Sequence, residues 1–169
     1  DAGSALADAL LRLGPGFVKF GQALSTRADL IGPEMSLSLS QLQDRLPAFH
    51  SSVAHRLVES ETDAPMAETF NEFASEPVAA ASIAQVHRAR LCDGREVAVK
   101  LLRPNIERRM RADTLLFFAL ANIMEWVAPG LRRLKLVTAV EQFVEISDIE
   151  LDLRMEAAAA GRLADNLRD

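Results

Sequence analysis

Two strand-like runs joined by Asp93-Gly94 place the strongest constraint on how this chain can fold. Asp-Gly between two such runs is typical of a tight β-hairpin, whose two central residues both need positive φ. In the second run, Ala98 and Lys100 should share the face opposite to Val99. If the two strands pair, Lys100 lies near the small-residue turn that precedes the first strand.

That turn is rich in alanine and contains no glycine. Its residues are Val78, Ala79, Ala80, Ala81, Ser82, Ile83, Ala84, Gln85 and Val86. A lysine beside a turn of small side chains suits a phosphate, because backbone N–H groups can approach the anion and the ammonium adds a charge. Alanine does not readily adopt positive φ, so the turn should be stiffer than a glycine-rich loop. The alternative is an ordinary hairpin whose lysine keeps its ammonium in water.

The composition indicates a globular protein. Of 169 residues, 49% are hydrophobic and 25% are charged. The formal net charge of −5 argues against nucleic acid as the main partner. The single cysteine, Cys92, excludes an internal disulfide and fits a reducing compartment.

No secretory signal or spanning helix is visible in this chain. It opens on Asp1 without a methionine, so we expect a piece of a longer protein. The longest apolar run, 115–127, contains Asn122 and Glu125 and is shorter than the roughly 20 apolar residues of a spanning helix. The sequence therefore predicts a buried core helix there.

The order of the elements suggests a boundary near residue 75. The apolar periodicity and the positions of Gly and Pro predict helices at 1–13, 17–27, 33–46, 52–61 and 65–73. Clear strands come only after Pro77, so we expect a helical extension at 1–75 and the start of an α+β unit at 76–169. Further helices are predicted from Ile106 to about Ala128 and from Leu136 to about Leu167.

The second predicted helix contains an unusual glycine. Lys19 and Gln22 are three residues apart and share a face. Gly21 lies between them, although glycine inside a helix costs about 1 kcal/mol relative to alanine. We expect another backbone or a ligand to approach closely there. The alternative is a helix-packing glycine beside a solvated Lys19.

The last predicted helix carries carboxylates spaced by four. Asp148, Asp152 and Glu156 form one stripe, with Glu150 on a neighbouring face. Like charges at this spacing destabilise a helix by about 0.2–0.5 kcal/mol per pair, which a lysine or a metal ion would relieve. The alternative is a solvated acidic face.

Four motifs occur in one order along nearly the whole chain. They are K-x-G-Q at Lys19, Gly21 and Gln22, an alanine-rich loop at 79–87, the strand V-A-V-K ending at Lys100, and E-x-D at Glu150 and Asp152, followed by Glu156. Together they resemble the UbiB/ADCK family of atypical protein-kinase-like proteins. The resemblance implies an incomplete protein-kinase-like N-lobe with an all-helical N-terminal extension that carries K-x-G-Q.

The resemblance also implies roles for these residues. Residues Val78–Val86 would lie over ATP or ADP bound with Mg²⁺. Lys100 would hold the α and β phosphates and pair with Glu156, the glutamate of helix αC. From the extension, Lys19 and Gln22 would reach into the pocket and close it to protein substrates.

The E-x-D motif and the end of the chain carry further expectations. Glu150 and Asp152 would help fix the extension or the metal-bound nucleotide. Ala159-Ala160 stand where the family often has an asparagine. The chain contains no D-F-G motif and no catalytic loop. The catalytic Asp is therefore expected beyond Asp169, and the isolated chain is expected to be inactive.

The implied function is the ATP-binding portion of a UbiB-type kinase or ATPase that supports ubiquinone biosynthesis. The expected partners are the nucleotide, enzymes of ubiquinone biosynthesis or lipid precursors, and no nucleic acid. The parent protein would be membrane-associated, on the cytoplasmic side of a bacterial inner membrane or, in a eukaryote, at the mitochondrial inner membrane. The alternatives are a non-catalytic, nucleotide-dependent scaffold for those enzymes and a helical adaptor with no nucleotide.

Overall fold

The computed structural model describes residues 2–42 and 46–166 and divides the chain into two compact units, Asp1–Ile106 and Glu107–Asp169. The helices of the first unit are α1 (Ala2–Leu13), α2 (Pro15–Ser25), α3 (Ala28–Ile31), α4 (Pro33–Ser40), α5 (Ser51–Thr62) and α6 (Met66–Thr69). Its strands are β1 (Phe70–Phe73), β2 (Ala79–Ala80), β3 (Ala84–Leu91) and β4 (Glu96–Leu102). The second unit contains α7 (Ile106–Val127, beginning at the boundary residue), a 3₁₀ helix (Pro129–Leu134), α8 (Leu136–Leu151) and α9 (Leu153–Asn166).

Helices α1 to α4 share one apolar core. Its buried residues are Leu10, Val18, Leu39 and Leu42. Gly21 lies against this core, because a Cβ at this position would come within 2.7 Å of Leu10 Cδ1 and 2.5 Å of Leu42 Cδ1. The glycine therefore allows leucine side chains, rather than a ligand, to approach the helix.

Helix α4 ends earlier than the sequence predicts. The pattern places its end at Leu46, whereas the helix stops at Ser40 and residues 41 and 42 form a turn. The N–H of Leu42 donates to the carbonyl of Leu39 over 3.0 Å, one residue closer than in an α-helix. This tighter turn directs Leu42 into the core. Residues 43–45 of the predicted helix lie outside the described residues.

The sheet is antiparallel, with β3 in its centre. Strands β1 and β2 follow one another along one edge of β3, and β4 pairs with the other edge. One face of the sheet packs on α5 through Ala54, Val58 and Leu101. The predicted helix at 52–61 and the predicted pairing of the strands around Asp93-Gly94 are both confirmed.

Strand β1 is a departure from the sequence prediction. The pattern predicts a helix from Pro65 to Phe73, but the helix ends at Thr69 and Phe70–Phe73 pairs with β3. Phe70 and Phe73 pack onto the core beneath the sheet, and this tertiary contact overrides a weak local preference. A strand therefore precedes Pro77. The division into an extension (1–75) and a kinase-like lobe (76–169) concerns family organisation, and it stays a prediction.

The β3–β4 hairpin uses a different turn from the one predicted. Gly94 has a φ of 90°, but Asp93 does not have positive φ. The N–H of Gly94 donates to Leu91 O and the N–H of Leu91 donates to Arg95 O, both over 2.9 Å. This is a three-residue loop in which a type I turn precedes a left-handed residue. One glycine, rather than two residues with positive φ, closes the hairpin.

The second unit has a core of its own between α7 and α8. Buried Phe117 and Phe143 meet with ring centroids 5.8 Å apart in an edge-to-face arrangement. The long helix predicted from Ile106 is confirmed, but it is not a fully buried core helix, because Leu116 and Ile123 are exposed. Within the described ranges, no helix combines the length and hydropathy that a membrane crossing requires.

The last helix is interrupted at Asp152. The sequence predicts one helix from Leu136 to Leu167, whereas α8 ends at Leu151 and α9 begins at Leu153; Leu167 lies outside the described residues. Asp152 has a ψ of 84°, and its carboxylate accepts the N–H of Arg154 over 3.1 Å. Asp152 thus caps the N-terminus of α9, a position that aspartate favours.

We expect Gly21→Ala to lower the free energy of unfolding by up to about 2 kcal/mol. Overpacking a core typically costs about 1–3 kcal/mol, against about 1 kcal/mol that alanine gains over glycine inside a helix. Gly161→Ala is the matched control, since a Cβ at Gly161 meets nothing within 4 Å. The control should raise the free energy of unfolding by about 1 kcal/mol. Urea denaturation followed by circular dichroism measures both, and equal stabilisation by the two variants would contradict the packing role of Gly21.

Candidate nucleotide site

The strand register places Lys100 opposite the alanine-rich segment. Val86 in β3 pairs with Ala79 of β2 on one side and with Lys100 of β4 on the other. Residues directly opposite each other in neighbouring strands project from the same face of a sheet. Ala79, Val86 and Lys100 therefore share one face, while Val99 packs toward α5 on the other. This alternation agrees with the prediction from sequence.

Residues Ala81–Ala84 form the tight connection between β2 and β3, which we call the alanine turn. The N–H of Ala81 donates to Ala84 O over 2.8 Å, and none of the turn's residues has positive φ. Ser82 and Ile83, at its tip, are each only 6% exposed. Their backbone N–H groups donate no hydrogen bond to any described residue. Two adjacent N–H donors in a rigid turn can bind the oxygen atoms of an anion.

Helix α2 brings the K-x-G-Q motif against this turn. Gln22 donates from Nε2 to Leu42 O over 3.1 Å, and its Oε1 accepts a longer hydrogen bond of 3.4 Å from Ser82 Oγ. Lys19 is 7% exposed, so the alternative of a solvated lysine is wrong. The structure thus joins two of the predicted motifs, K-x-G-Q and the alanine-rich loop, within the first unit.

The Gln85 side chain has two structural partners that the sequence does not predict, Phe49 and His87. Its side-chain amide accepts from Phe49 N–H over 2.9 Å and donates to Phe49 O over 3.3 Å. It also lies 2.7 Å from Nε2 of His87, whose Nδ1 is 2.8 Å from Ala74 O. Because a carbonyl only accepts, His87 carries its proton on Nδ1, and Nε2 accepts from Gln85. Gln85 and His87 are both fully buried, so this network is satisfied without water.

Arg103, directly after β4, is the second residue whose contacts the sequence does not predict. Its guanidinium donates to the carbonyl oxygens of Ala81, Pro47 and Leu46, at distances between 2.9 and 3.4 Å. Its backbone N–H donates to Ile83 O over 2.8 Å. Burial lowers the pKa of the Arg103 guanidinium from its ordinary value, although an arginine remains charged at any physiological pH.

Sequence signals for both contacts exist, but they are weak. Gln85 and His87 are two residues apart in a strand, so both point to one face, and that face also carries apolar residues. Polar side chains on a core face indicate a buried network without naming its partner. Arg103 precedes Pro104, which only restricts its backbone. Phe49 lies 36 positions from Gln85, and Ala81 lies 22 positions from Arg103.

The E-x-D motif and Glu156 belong to the second unit. Glu150 lies in the last turn of α8, Asp152 between the helices, and Glu156 in the first turn of α9. Asp148, Asp152 and Glu156 therefore do not form a stripe on one helix. Hydrogen bonds from the Arg154 side chain, and then from its backbone N–H, lower the pKa of the Asp152 carboxyl. The pairing of Lys100 with Glu156 joins residues of different units and stays a prediction.

A nucleotide-bound Mg²⁺ typically takes one or two protein carboxylates in addition to phosphate and water oxygens. In residues 2–42 and 46–166, no three His, Cys, Asp or Glu side chains converge as metal ligands.

A helical cluster beside an antiparallel sheet, with a lysine on the same sheet face as an alanine of β2, is the arrangement of an incomplete kinase-like N-lobe. The profile of the ABC1 atypical kinase-like domain matches residues 41–169. This chain belongs to the ABC1 atypical kinase-like family. The matched residues include the alanine turn, Lys100 and the E-x-D motif.

Individual relatives agree with the family. A protein of Marinobacter nauticus named "Probable protein kinase UbiB" is 46% identical over 99% of this chain and 30% of its own length. A protein of the same name from Pseudomonas aeruginosa is 44% identical over 97% of this chain and 31% of its own length. The chain therefore spans about 30% of the length of these curated relatives.

A solved structure supports the fold. It is the complex of Rv3197 with erythromycin from Mycobacterium tuberculosis, which is 35% identical to this chain. The TM-score is 0.53, and the match covers 82% of this chain and 35% of that one. An α+β, incomplete kinase-like N-lobe is therefore the fold class of this chain.

Replacing Gln85 should destabilise the first unit. Gln85→Leu keeps the volume but leaves the N–H and carbonyl of Phe49 without their partner, so we expect a loss of about 1–3 kcal/mol in the free energy of unfolding. Gln41→Leu changes an exposed glutamine and should stay within about 0.5 kcal/mol of the parent. Thermal and urea unfolding compare the two variants, and equal stability would show that the Phe49 contacts contribute nothing.

Proposed function

We propose that the full-length protein is a UbiB-type atypical kinase or ATPase that binds ATP or ADP with Mg²⁺ and supports ubiquinone biosynthesis. Membership of the ABC1 atypical kinase-like family makes the kinase-like class secure. The observation that carries the proposal further is the register of the sheet, in which Lys100 and Ala79 flank Val86 on one face. A lysine and a small alanine side chain on either side of Val86 suit a nucleotide bound across this face of the sheet.

The proposed binding is electrostatic. The Lys100 ammonium supplies a point charge for the α and β phosphates, as the lysine of a kinase strand does. The N–H groups of Ser82 and Ile83 supply hydrogen bonds from a turn that is already ordered. Both features act on phosphate oxygens, so the site should distinguish ADP from adenosine.

The remaining assignments are part of the same proposal. The segment Val78–Val86 covers the nucleotide, with the Gln85 side chain turned to the core beneath the sheet. Lys19 and Gln22 close the pocket from the helical side. Glu156 pairs with Lys100, and the E-x-D acids assist the extension or the metal-bound nucleotide. The name UbiB of the relatives supports a place in ubiquinone biosynthesis. A location at the cytoplasmic face of a bacterial inner membrane is part of the same proposal.

The experiment uses the full-length protein and the variant Lys100→Ala. Loss of a charged hydrogen-bonding group should weaken Mg-ADP binding by about tenfold or more, while adenosine binding changes little. Calorimetric titration measures both ligands. Arg95→Ala, which removes an exposed positive charge at the hairpin tip, is the control and should bind like the parent.

Two results would change the proposal. Unchanged ADP affinity in Lys100→Ala would remove Lys100 from the site. Nucleotide binding without any phosphoryl transfer or hydrolysis by the full-length protein would replace the enzyme with a nucleotide-dependent scaffold.

A further inference from the structure

The alanine turn is held by an arginine side chain as well as by its own backbone. In most hydrogen-bonded β-turns the first carbonyl accepts the N–H three residues later. Here the carbonyl of Ala81 accepts from Nε and Nη2 of Arg103, over 3.1 and 2.9 Å. Between the described residues of the turn, the one backbone hydrogen bond runs in the opposite direction, from Ala81 N–H to Ala84 O. Arg103 therefore supplies the donors for the Ala81 carbonyl, which the backbone of the turn does not bind.

The same residue holds the tip of the turn and a second segment. The backbone N–H of Arg103 donates to Ile83 O over 2.8 Å, which fixes the turn from its other side. Nη1 donates to Pro47 O over 3.0 Å, and Nη2 lies 3.4 Å from Leu46 O. A planar fork of five N–H donors is suited to carbonyls that approach from different directions, whereas a lysine ammonium is not.

The guanidinium keeps its charge without a carboxylate. None of the ion pairs among the described residues includes Arg103, and its side-chain partners there are three backbone carbonyls. Its positive charge is therefore not neutralised next to Ser82 and Ile83, whose N–H groups have no described partner. A half-buried cation without a neighbouring carboxylate makes the local electrostatic potential more positive, which favours the binding of an anion.

We propose that Arg103 is a positioning residue for the nucleotide phosphates. It fixes the alanine turn so that the N–H groups of Ser82 and Ile83 are held in place before the nucleotide arrives, and its charge makes the turn more favourable for an anion. Pre-organisation of this kind lowers the ordering cost of binding. This inference rests on the proposed nucleotide function and assigns a residue that supports the phosphate contacts without making them.

Other roles for Arg103 predict different results. If Arg103 only stabilised the fold, the fraction of the variant that remains folded would bind each ligand with the affinity of the parent protein. If it distorted the whole pocket, ADP and adenosine would lose affinity together. A positioning role at the phosphates predicts that ADP loses affinity and adenosine does not.

The test compares Arg103→Gln and Arg103→Lys in the full-length protein, with Arg95→Gln as the matched control. Arg95 is an exposed arginine at the β3–β4 hairpin and bonds Asp93 instead of backbone carbonyls. Calorimetric titrations with Mg-ADP and with adenosine give the ratio of the two affinities for each variant. We expect Arg103→Gln to lower this ratio by about tenfold, because hydrogen bonds from a charged group are involved. Arg103→Lys keeps the positive charge but lacks the planar guanidinium, so its ADP-to-adenosine affinity ratio should lie between those of Arg103→Gln and the parent.

Hydrogen–deuterium exchange supplies an independent readout. The N–H groups of Ser82 and Ile83 should exchange faster in Arg103→Gln than in the parent or in Arg95→Gln, at a temperature where all three are folded. If Arg103→Gln does not fold, Arg103→Lys provides both measurements. An unchanged ADP-to-adenosine ratio, or a parallel loss for both ligands, would overturn the inference. Failure of the parent itself to bind ADP would instead remove the proposed function, so the two failures can be told apart.

Discussion

Hydrogen bonds from two side chains to one irregular segment hold the first unit together. Residues 46–49 form no helix or strand, so their backbone groups need partners from elsewhere. The Gln85 side chain binds the backbone N–H and carbonyl of Phe49, and the Arg103 guanidinium binds the carbonyls of Leu46 and Pro47. The segment also joins two cores, since Leu46 packs with the helical cluster and Phe49 packs beneath the sheet. The position of the helices relative to the sheet therefore depends on a few polar contacts as well as on apolar burial.

These contacts explain why alanine can replace glycine in the turn. A glycine-rich loop gains access to a phosphate through positive φ and flexibility, at an entropic cost on ordering. The alanine turn has no residue with positive φ, and two side chains from outside the turn hold it. Gln22 of α2 binds Ser82, and Arg103, directly after β4, binds the carbonyl of Ala81. Rigidity then compensates for the lost flexibility, and the geometry offered to an anion is fixed by the fold.

Local patterns in the sequence predict the parts of this structure that local forces determine. The β3–β4 pairing, the face of Lys100 and the long α7 follow from alternation, a turn signal and helical periodicity. The strand β1 and the early end of α4 do not, because each depends on a distant partner: β3 for Phe70–Phe73 and the helical core for Leu42. Arg103 and Gln85 are missed for the same reason. Sequence can show that a polar residue faces a core, but not which carbonyl will meet it.

The break at Asp152 gives the E-x-D motif a local role in addition to its proposed one. The Asp152 carboxylate accepts hydrogen bonds from the backbone N–H and from the guanidinium of Arg154, so both of its oxygen atoms have partners at the start of α9. The orientation of Glu156 follows the axis of α9 rather than that of α8, because a non-helical residue separates the two helices. Asp152, the last residue of the motif, therefore sets the direction of the first turn of α9, which carries Glu156.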